Sequence, residues 1–97
     1  MQHVALTVRK LKPGAYDGWW EARQPSEPYP EQLKDGYILR KVGDPDEVIA
    51  FGIFEGDLPA MRAEMADEMQ RREDAMAPFI ESIGADGIYE VVERFPG

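Results

Sequence analysis

The polar side chains best suited to chemistry lie at alternate positions near the amino terminus. His3, Ala5, Thr7 and Arg9 are each two residues apart, and residues two apart on an extended strand point to the same side. Histidine is the side chain whose charge changes near neutral pH, so His3 is the candidate base for removing a proton from a phenol-like substrate, with Thr7 assisting. Because His3 is near the start of a strand, a solvated surface residue is the alternative interpretation. If this row is buried, its polar side chains need hydrogen-bond partners, which either the protein itself or a ligand could supply.

Large apolar side chains could form the wall of a pocket for a planar molecule. Trp19 and Trp20 are neighbours about 100° apart around a helix, so we expect one in the core and the other at a pocket rim or a subunit contact. Methionines at helical spacing fit either a plain core or an adaptable wall against an aromatic ligand. The residues predicted to bind a ligand are Arg9, Trp19, Trp20, Tyr37, Met61 and Met65.

Known metal and nucleophile motifs are missing from the sequence. The chain has no cysteine, which excludes disulfides, thiolate metal sites and cysteine nucleophiles. Asp44, Asp46 and Glu47 do not have the spacing of a calcium loop, and Pro45 between them indicates a turn. There is no glycine-rich phosphate loop, nucleophile elbow or zinc spacing. We therefore expect neither a metal nor a cofactor.

Length and charge restrict the possible partners. With 97 residues the chain fits one domain, residues 1–97, and a net charge of −8 disfavours nucleic acid and anionic membrane surfaces. The first residues lack the basic and apolar regions of a signal sequence, and no apolar stretch approaches the ~20 residues that span a bilayer. Together with the absence of cysteine, this predicts a soluble cytoplasmic protein.

The elements that position these residues follow the order strand, helix, strand, strand, helix, strand. Alternation around Val4, Leu6 and Val8 predicts the first strand, and aromatic residues at helical spacing predict a short helix that ends before Pro25. Residues 25–30, with three prolines, are expected to form an extended surface loop that could cover a pocket mouth. The runs 37–42 and 48–54, separated by the turn-forming residues 43–47, predict a hairpin.

The second half of the chain begins with a long helix. Asp57 is the predicted N-cap, and the pairs Asp67/Arg71 and Glu68/Arg72 are predicted on its solvent side. Pro78 should kink or end the helix and leave a final turn that stops at Gly84. Residues 88–95 then supply the last strand.

This order predicts an α+β fold, a ferredoxin-like βαββαβ domain with an antiparallel sheet and both helices on one face. Two helices cover only one face, and the run 48–54 is apolar on both of its sides. A strand with one side exposed to water would alternate between apolar and polar residues. We therefore expect a homodimer through the sheet faces.

The whole pattern resembles the dimeric α/β-barrel superfamily, and within it the small domains of the antibiotic-biosynthesis-monooxygenase (ABM) type. The features that carry the resemblance are Lys12-Pro13-Gly14 after the first strand, an aromatic first helix, the hairpin from Asp35 to Val48, and an acidic, methionine-rich helix after Phe54-Glu55-Gly56-Asp57. The resemblance implies two sheets packed face to face as a barrel, with each pocket between a subunit's own helices and sheet. It covers nearly the whole chain.

The family includes cofactor-free monooxygenases, haem-degrading enzymes, isomerases and members without known activity. The haem-degrading branch uses an Asn on a strand and a Trp and a His on the second helix. This chain has no Asn, its single His is His3 and both Trp residues lie on the first helix; Thr7 lies where the polar strand residue would fall. Haem degradation is therefore disfavoured.

Two hypotheses remain. The first is a small-molecule enzyme that resembles the cofactor-free monooxygenases and acts on an aromatic or polyketide-like substrate between helices and sheet. The second is a non-catalytic dimeric ligand-binding or accessory domain that kept the fold, which the missing Asn favours.

Overall fold

The computed structural model describes residues 2–96 and confirms the predicted βαββαβ order. Strand β1 spans Gln2–Leu11, helix α1 spans Tyr16–Ala22, β2 spans Leu33–Lys41 and β3 spans Asp44–Glu55. Helix α2 spans Leu58–Met76 and continues into a short 3₁₀ helix, Ala77–Phe79, before β4, Ile80–Glu90. The fold is the ferredoxin-like α+β arrangement expected from the sequence.

The four strands form one antiparallel sheet in the order β2-β3-β1-β4. β1 lies inside the sheet and pairs with β3 from Gln2↔Glu55 to Lys10↔Glu47, and with β4 from His3↔Glu90 to Leu11↔Ile80. Residues directly opposite each other share a face. The pairing therefore assigns every position of β1 to one of two faces.

The core lies between the helices and one face of the sheet. Leu11, Val48 and Trp19 are its buried centre, and Met76 and Phe79 from the carboxyl end of the second helical segment pack against it. Both helices therefore lie on the face that carries Leu11 and Val48. Trp19 is only 2% exposed, whereas Trp20 is 43% exposed, which is the division predicted for two adjacent residues on a helix.

Helix α2 begins as predicted but ends earlier. Asp57 is its N-cap, and the Asp57 Oδ1 accepts a hydrogen bond from the backbone N–H of Ala60 at 3.0 Å. The prediction of a further turn up to Gly84 is wrong, because Ile80 already begins β4. Proline lacks the backbone donor that a continuing helix needs, and the free edge of β1 supplies sheet hydrogen bonds to the residues that follow Pro78.

The boundaries of β4 and of the hairpin also differ from the prediction. β4 covers Ile80–Glu90, and residues 91–96 do not continue it as a strand, so the strand predicted at 88–95 is shifted. β2 and β3 are joined by Val42 and Gly43 alone, with Gly43 at φ 91°. Positive φ at the second residue of such a turn is the type II pattern, which favours glycine there. Asp44, expected in a longer turn, instead pairs with Lys10 of β1 at the start of β3.

The predicted ion pair between Glu68 and Arg72 on the solvent side of α2 is wrong. Glu68 is buried and binds Arg71 and Ser26, while Arg72 Nε donates to the backbone carbonyl of Arg23 at 2.7 Å. The loop after α1 approaches this side of α2 and offers closer partners than helix spacing alone. None of the helices in residues 2–96 is long and apolar enough to cross a membrane.

Candidate functional site

The odd-numbered side chains of β1 lie under the helices. Leu11 is in the core and Arg9 pairs with the buried Val48, so His3, Ala5 and Thr7 share that face by strand alternation. The polar row therefore faces the helices. The floor beside the row is made of small side chains, because Ala5 lies opposite Gly52, and Thr7 lies opposite Ala50.

Gly52 is required by its surroundings. A Cβ at this position would lie 2.9 Å from atoms of both Leu33 and Phe54, closer than side chains tolerate without moving. Phe54 lies opposite His3 in the sheet. The side chains of Leu33 and Phe54 therefore fill the space above Gly52, next to the amino-terminal end of the polar row.

One end of the row opens into a groove at His3. This groove, which we name the His3 groove, has a volume of about 550 Å³ and is lined by His3, Gly56, Leu58, Pro59, Arg62 and Ile88. It lies where the start of β1, the start of α2 and the end of β4 meet. Apart from His3 and Arg62, its walls are apolar side chains and glycine.

The imidazole of His3 has an unused polar atom. Its Nδ1 is shielded from solvent and has no hydrogen-bond partner among residues 2–96. An unpaired buried polar atom costs about 1–3 kcal/mol, which a partner supplied by a ligand would offset. A neutral imidazole nitrogen without a proton accepts one, so His3 can serve as a base or hydrogen-bond partner in the His3 groove.

Thr7 and Arg9 are already engaged within the protein. Thr7 Oγ1 donates to the carbonyl of Ala50 at 3.4 Å, and Thr7 lines neither of the two grooves described here. The Arg9 side chain is 11% exposed, and its Nη2 donates to Asp86 Oδ2 at 2.9 Å. Its Nη1 donates to the carbonyls of Val8 at 3.1 Å and Ala85 at 3.4 Å.

Arg9 also lines a second groove, of about 590 Å³, between the end of α2 and β4. Most of the charged side chains that line this second groove are acidic. The carboxylates in its lining are Glu73, Asp74, Glu81 and Asp86. This groove therefore differs in charge from the His3 groove at the other end of the row.

The other predicted ligand-binding residues are distributed over the molecule. Trp19 lies in the core, Trp20 on the outer side of α1, and Met61 and Met65 are buried and half-buried on α2. Tyr37 lies on the opposite face of the sheet, where its ring stacks on Phe51 at 5.1 Å and its hydroxyl donates to Asp35 at 2.8 Å. None of these five lines either groove.

Sequence reasoning missed the residues that complete the His3 groove. Leu58 and Arg62 are four apart and therefore neighbours on the surface of α2, which was the available signal. Ile88 belonged to a predicted strand whose register was not known. Only the pairing of β4 with β1, with Ile88 opposite Ala5, brings it beside His3.

The loop after α1 is fixed to α2 by a buried carboxylate. Glu68 accepts hydrogen bonds from the Ser26 N–H at 3.0 Å, the Ser26 hydroxyl at 2.6 Å and Arg71 Nη2 at 2.6 Å. Hydrogen bonds from Arg71 and Ser26 lower the pKa of Glu68 from 4.5 to about 2. We name this arrangement the Ser26 clamp. It holds the proline-containing loop, residues 25–30, against the helix.

Charged groups elsewhere have structural roles. The acidic residues at the hairpin turn pair with Lys10 and with the Gly14 N–H, which donates to Asp46 Oδ1 at 3.2 Å. The hydrogen bond between Lys10 and Asp44 raises the pKa of Lys10 and lowers that of Asp44. In the described residues, 2–96, no group of three or more His, Asp or Glu side chains is placed to hold a metal ion.

Comparison with known proteins identifies the fold. The sequence matches no family model and no curated protein. A candidate antibiotic biosynthesis monooxygenase from Chloroflexus aurantiacus J-10-fl superposes over 100% of both chains, with a TM-score of 0.72 and 11% identity.

Two further solved structures agree with the first. A candidate antibiotic biosynthesis monooxygenase from Bordetella bronchiseptica has a TM-score of 0.70 and 11% identity, covering 95% of this chain and 98% of that one. One from Nitrosomonas europaea has a TM-score of 0.70 and 15% identity, covering 98% and 92%. The chain thus has the ferredoxin-like fold of ABM-type domains, and the resemblance seen in the sequence is confirmed at the level of the fold.

Proposed function

We propose that this protein is a small-molecule enzyme of the cofactor-free monooxygenase kind, acting on an aromatic or polyketide-like substrate in the His3 groove. The observation that carries the proposal is that His3, whose buried Nδ1 has no hydrogen-bond partner among residues 2–96, lines an otherwise mostly apolar groove of about 550 Å³. Ligand sites in proteins have this character, with apolar walls and a few placed polar groups. The names of the structural neighbours support the same class of reaction.

The chemistry needs little from the protein. His3 removes a proton from a phenol or an activated CH₂ group, and the apolar walls exclude water from the resulting anion. An electron-rich anion of this kind reacts with O₂ itself. When CH₂ becomes C=O, one oxygen atom enters the product, the other leaves as water, and the substrate supplies all the electrons. Thr7 lines neither groove and lies four positions from His3 on the same face of β1, so any assistance from Thr7 is proposed to be indirect.

The assay for this proposal follows oxygen consumption with polycyclic phenols such as anthrones. Wild type should consume one O₂ per product, and His3→Ala should reduce the rate about a hundredfold, the usual contribution of a general base. Gln2→Ala on the neighbouring, opposite-facing position is the matched control. If His3→Ala and Thr7→Ala both leave turnover unchanged, the catalytic assignment is abandoned.

The second candidate is a non-catalytic ligand-binding or accessory domain. What favours it is that Thr7 and Arg9 donate their hydrogen bonds to Ala50 and Asp86. Within residues 2–96, His3 is then the residue of the row that keeps a buried polar atom without a partner. Binding of the same phenols without any oxygen consumption would favour this candidate.

We further propose that the active form is a homodimer. The sheet face opposite the helices carries only apolar side chains over much of its centre: Val4, Leu6, Val8, Ile49, Phe51 and Ile53. Tyr37, Leu39 and Tyr89 extend this face and are 44–48% exposed. A contiguous apolar face of this kind is typical of subunit contacts. Pairing two such faces would leave both His3 grooves on the outside, next to the helices.

A further inference from the structure

We infer that the His3 groove selects small molecules with one negative charge on an apolar body, and that Arg62 is the residue that selects them. The inference rests on the proposed function, because it names the substrate class of the same groove. It begins from the distribution of charge over the molecule.

The lining of the His3 groove contains no carboxylate. The second groove, by contrast, has four carboxylates in its lining, in a chain with 19 acidic and 11 basic residues. The charged group in the His3 groove is instead the guanidinium of Arg62. A site with one cation and apolar walls attracts an anion that also brings apolar surface to bury.

The guanidinium of Arg62 has no hydrogen bond or ion pair within residues 2–96. Arg9, Arg71 and Arg72 by contrast donate to carboxylates or backbone carbonyls of the protein. Free guanidinium donors bind a carboxylate in a two-pronged geometry that a neutral amide cannot match. Arg62 is therefore available to a ligand.

The neighbouring carboxylates determine how the ligand is oriented. Glu90 lies opposite His3 in the sheet and shares its face, so it disfavours the carboxylate of a ligand at the imidazole end. Asp57 lies near the other end, but its Oδ1 caps α2 by accepting from the Ala60 N–H. The anionic group is thus expected at Arg62 and the group to be deprotonated at His3, with the apolar body against Leu58 and Ile88.

The test compares 2-naphthoate with 2-naphthamide, two probes that share an aromatic body and differ in charge. Both are titrated by NMR into wild type, Arg62→Gln and Arg94→Gln, the last removing an exposed arginine from the carboxyl-terminal tail. Wild type and Arg94→Gln should bind naphthoate about tenfold more tightly than naphthamide, the effect of one charge-assisted contact. Arg62→Gln should bind the two probes equally, and added salt should reduce the preference in wild type.

The outcomes separate the inference from the proposed function. Equal affinity of the two probes for wild type, with shifts at Ile88 and His3, would overturn selection by charge and leave the groove as a ligand site. Retention of the preference in Arg62→Gln would overturn the role of Arg62. Two results would overturn both the inference and the placement of the function in this groove. Either neither probe binds, or both probes shift the NMR signals only of residues far from Ile88.

Discussion

Glu68 accepts hydrogen bonds from both the backbone N–H and the hydroxyl of Ser26, which lies 42 residues earlier in the chain. Arg71 completes the contact by donating to Glu68 and, at 3.1 Å, to the carbonyl of Gln24. Glu68 and Arg71 together therefore join the segment that follows α1 to α2.

The Ser26 clamp should stabilise the domain. Glu68→Gln removes the charge that Arg71 and Ser26 bind, and leaves buried donors with a weaker acceptor. We expect the thermal midpoint to fall by a few degrees, and Ser26→Ala to cause a smaller decrease in the same direction. Glu64→Gln, an exposed position one turn earlier on α2, is the control and should change little; an equal effect of both glutamine variants would contradict the role of the clamp.

The contribution of Glu68 should depend on pH. Its pKa is about 2 in the folded protein against an ordinary value of 4.5, so the folded state binds the proton less tightly than the unfolded state. The stabilisation is complete above about pH 4.5 and is lost as the pH falls towards 2. Urea denaturation at pH 6, 4 and 3 should show the difference between wild type and Glu68→Gln shrinking with acid; a constant difference would show that the charge is not what stabilises the clamp.

Gly18 should resist replacement although it lies inside a helix. Alanine favours a helix by about 1 kcal/mol, but a Cβ at this position would lie 2.5 Å from Phe79 Cε1. Overpacking of this kind costs about 1–3 kcal/mol, so we expect Gly18→Ala to lower the free energy of unfolding by up to about 2 kcal/mol. The measurement is chemical denaturation. In a Phe79→Leu background the same substitution should become neutral or stabilising, and an additive double mutant would refute the contact.

Charge on the open sheet face should separate the proposed dimer. Sedimentation of wild type at micromolar concentration should give twice 11.0 kDa, and Phe51→Asp should give the monomer because an aspartate cannot be buried unpaired. Leu39→Asp on the edge strand β2 is a second variant that perturbs folding less. Val92→Asp, at a position that is 87% exposed outside the sheet, is the control and should remain dimeric. A wild-type monomer would disprove the dimer.

The sequence predicts the fold well where local patterns decide it. Alternation around Val4 and Leu6 defined β1, and Asp57 marked the start of α2, because both signals depend only on neighbouring residues. β4 was misplaced because its residues are ordered by pairing with β1 across some seventy positions, and Gly84 and Gly87 weaken the local strand signal. The candidate site was only partly predicted for the same reason. His3 was identified from the pattern of its own strand, whereas Ile88 and Arg62 come close to it only in the tertiary structure.

The alternation along β1 has a practical consequence for genetics. Odd positions from His3 to Leu11 lie under the helices, and even positions from Val4 to Val8 lie on the apolar open face. A library restricted to even codons would test the proposed dimer, and one restricted to odd codons would vary the packing under the helices and, at His3, the proposed ligand groove. Inserting a single codon before Ala5 would exchange the two sets at once, so a frame-preserving insertion here should be as damaging as a truncation.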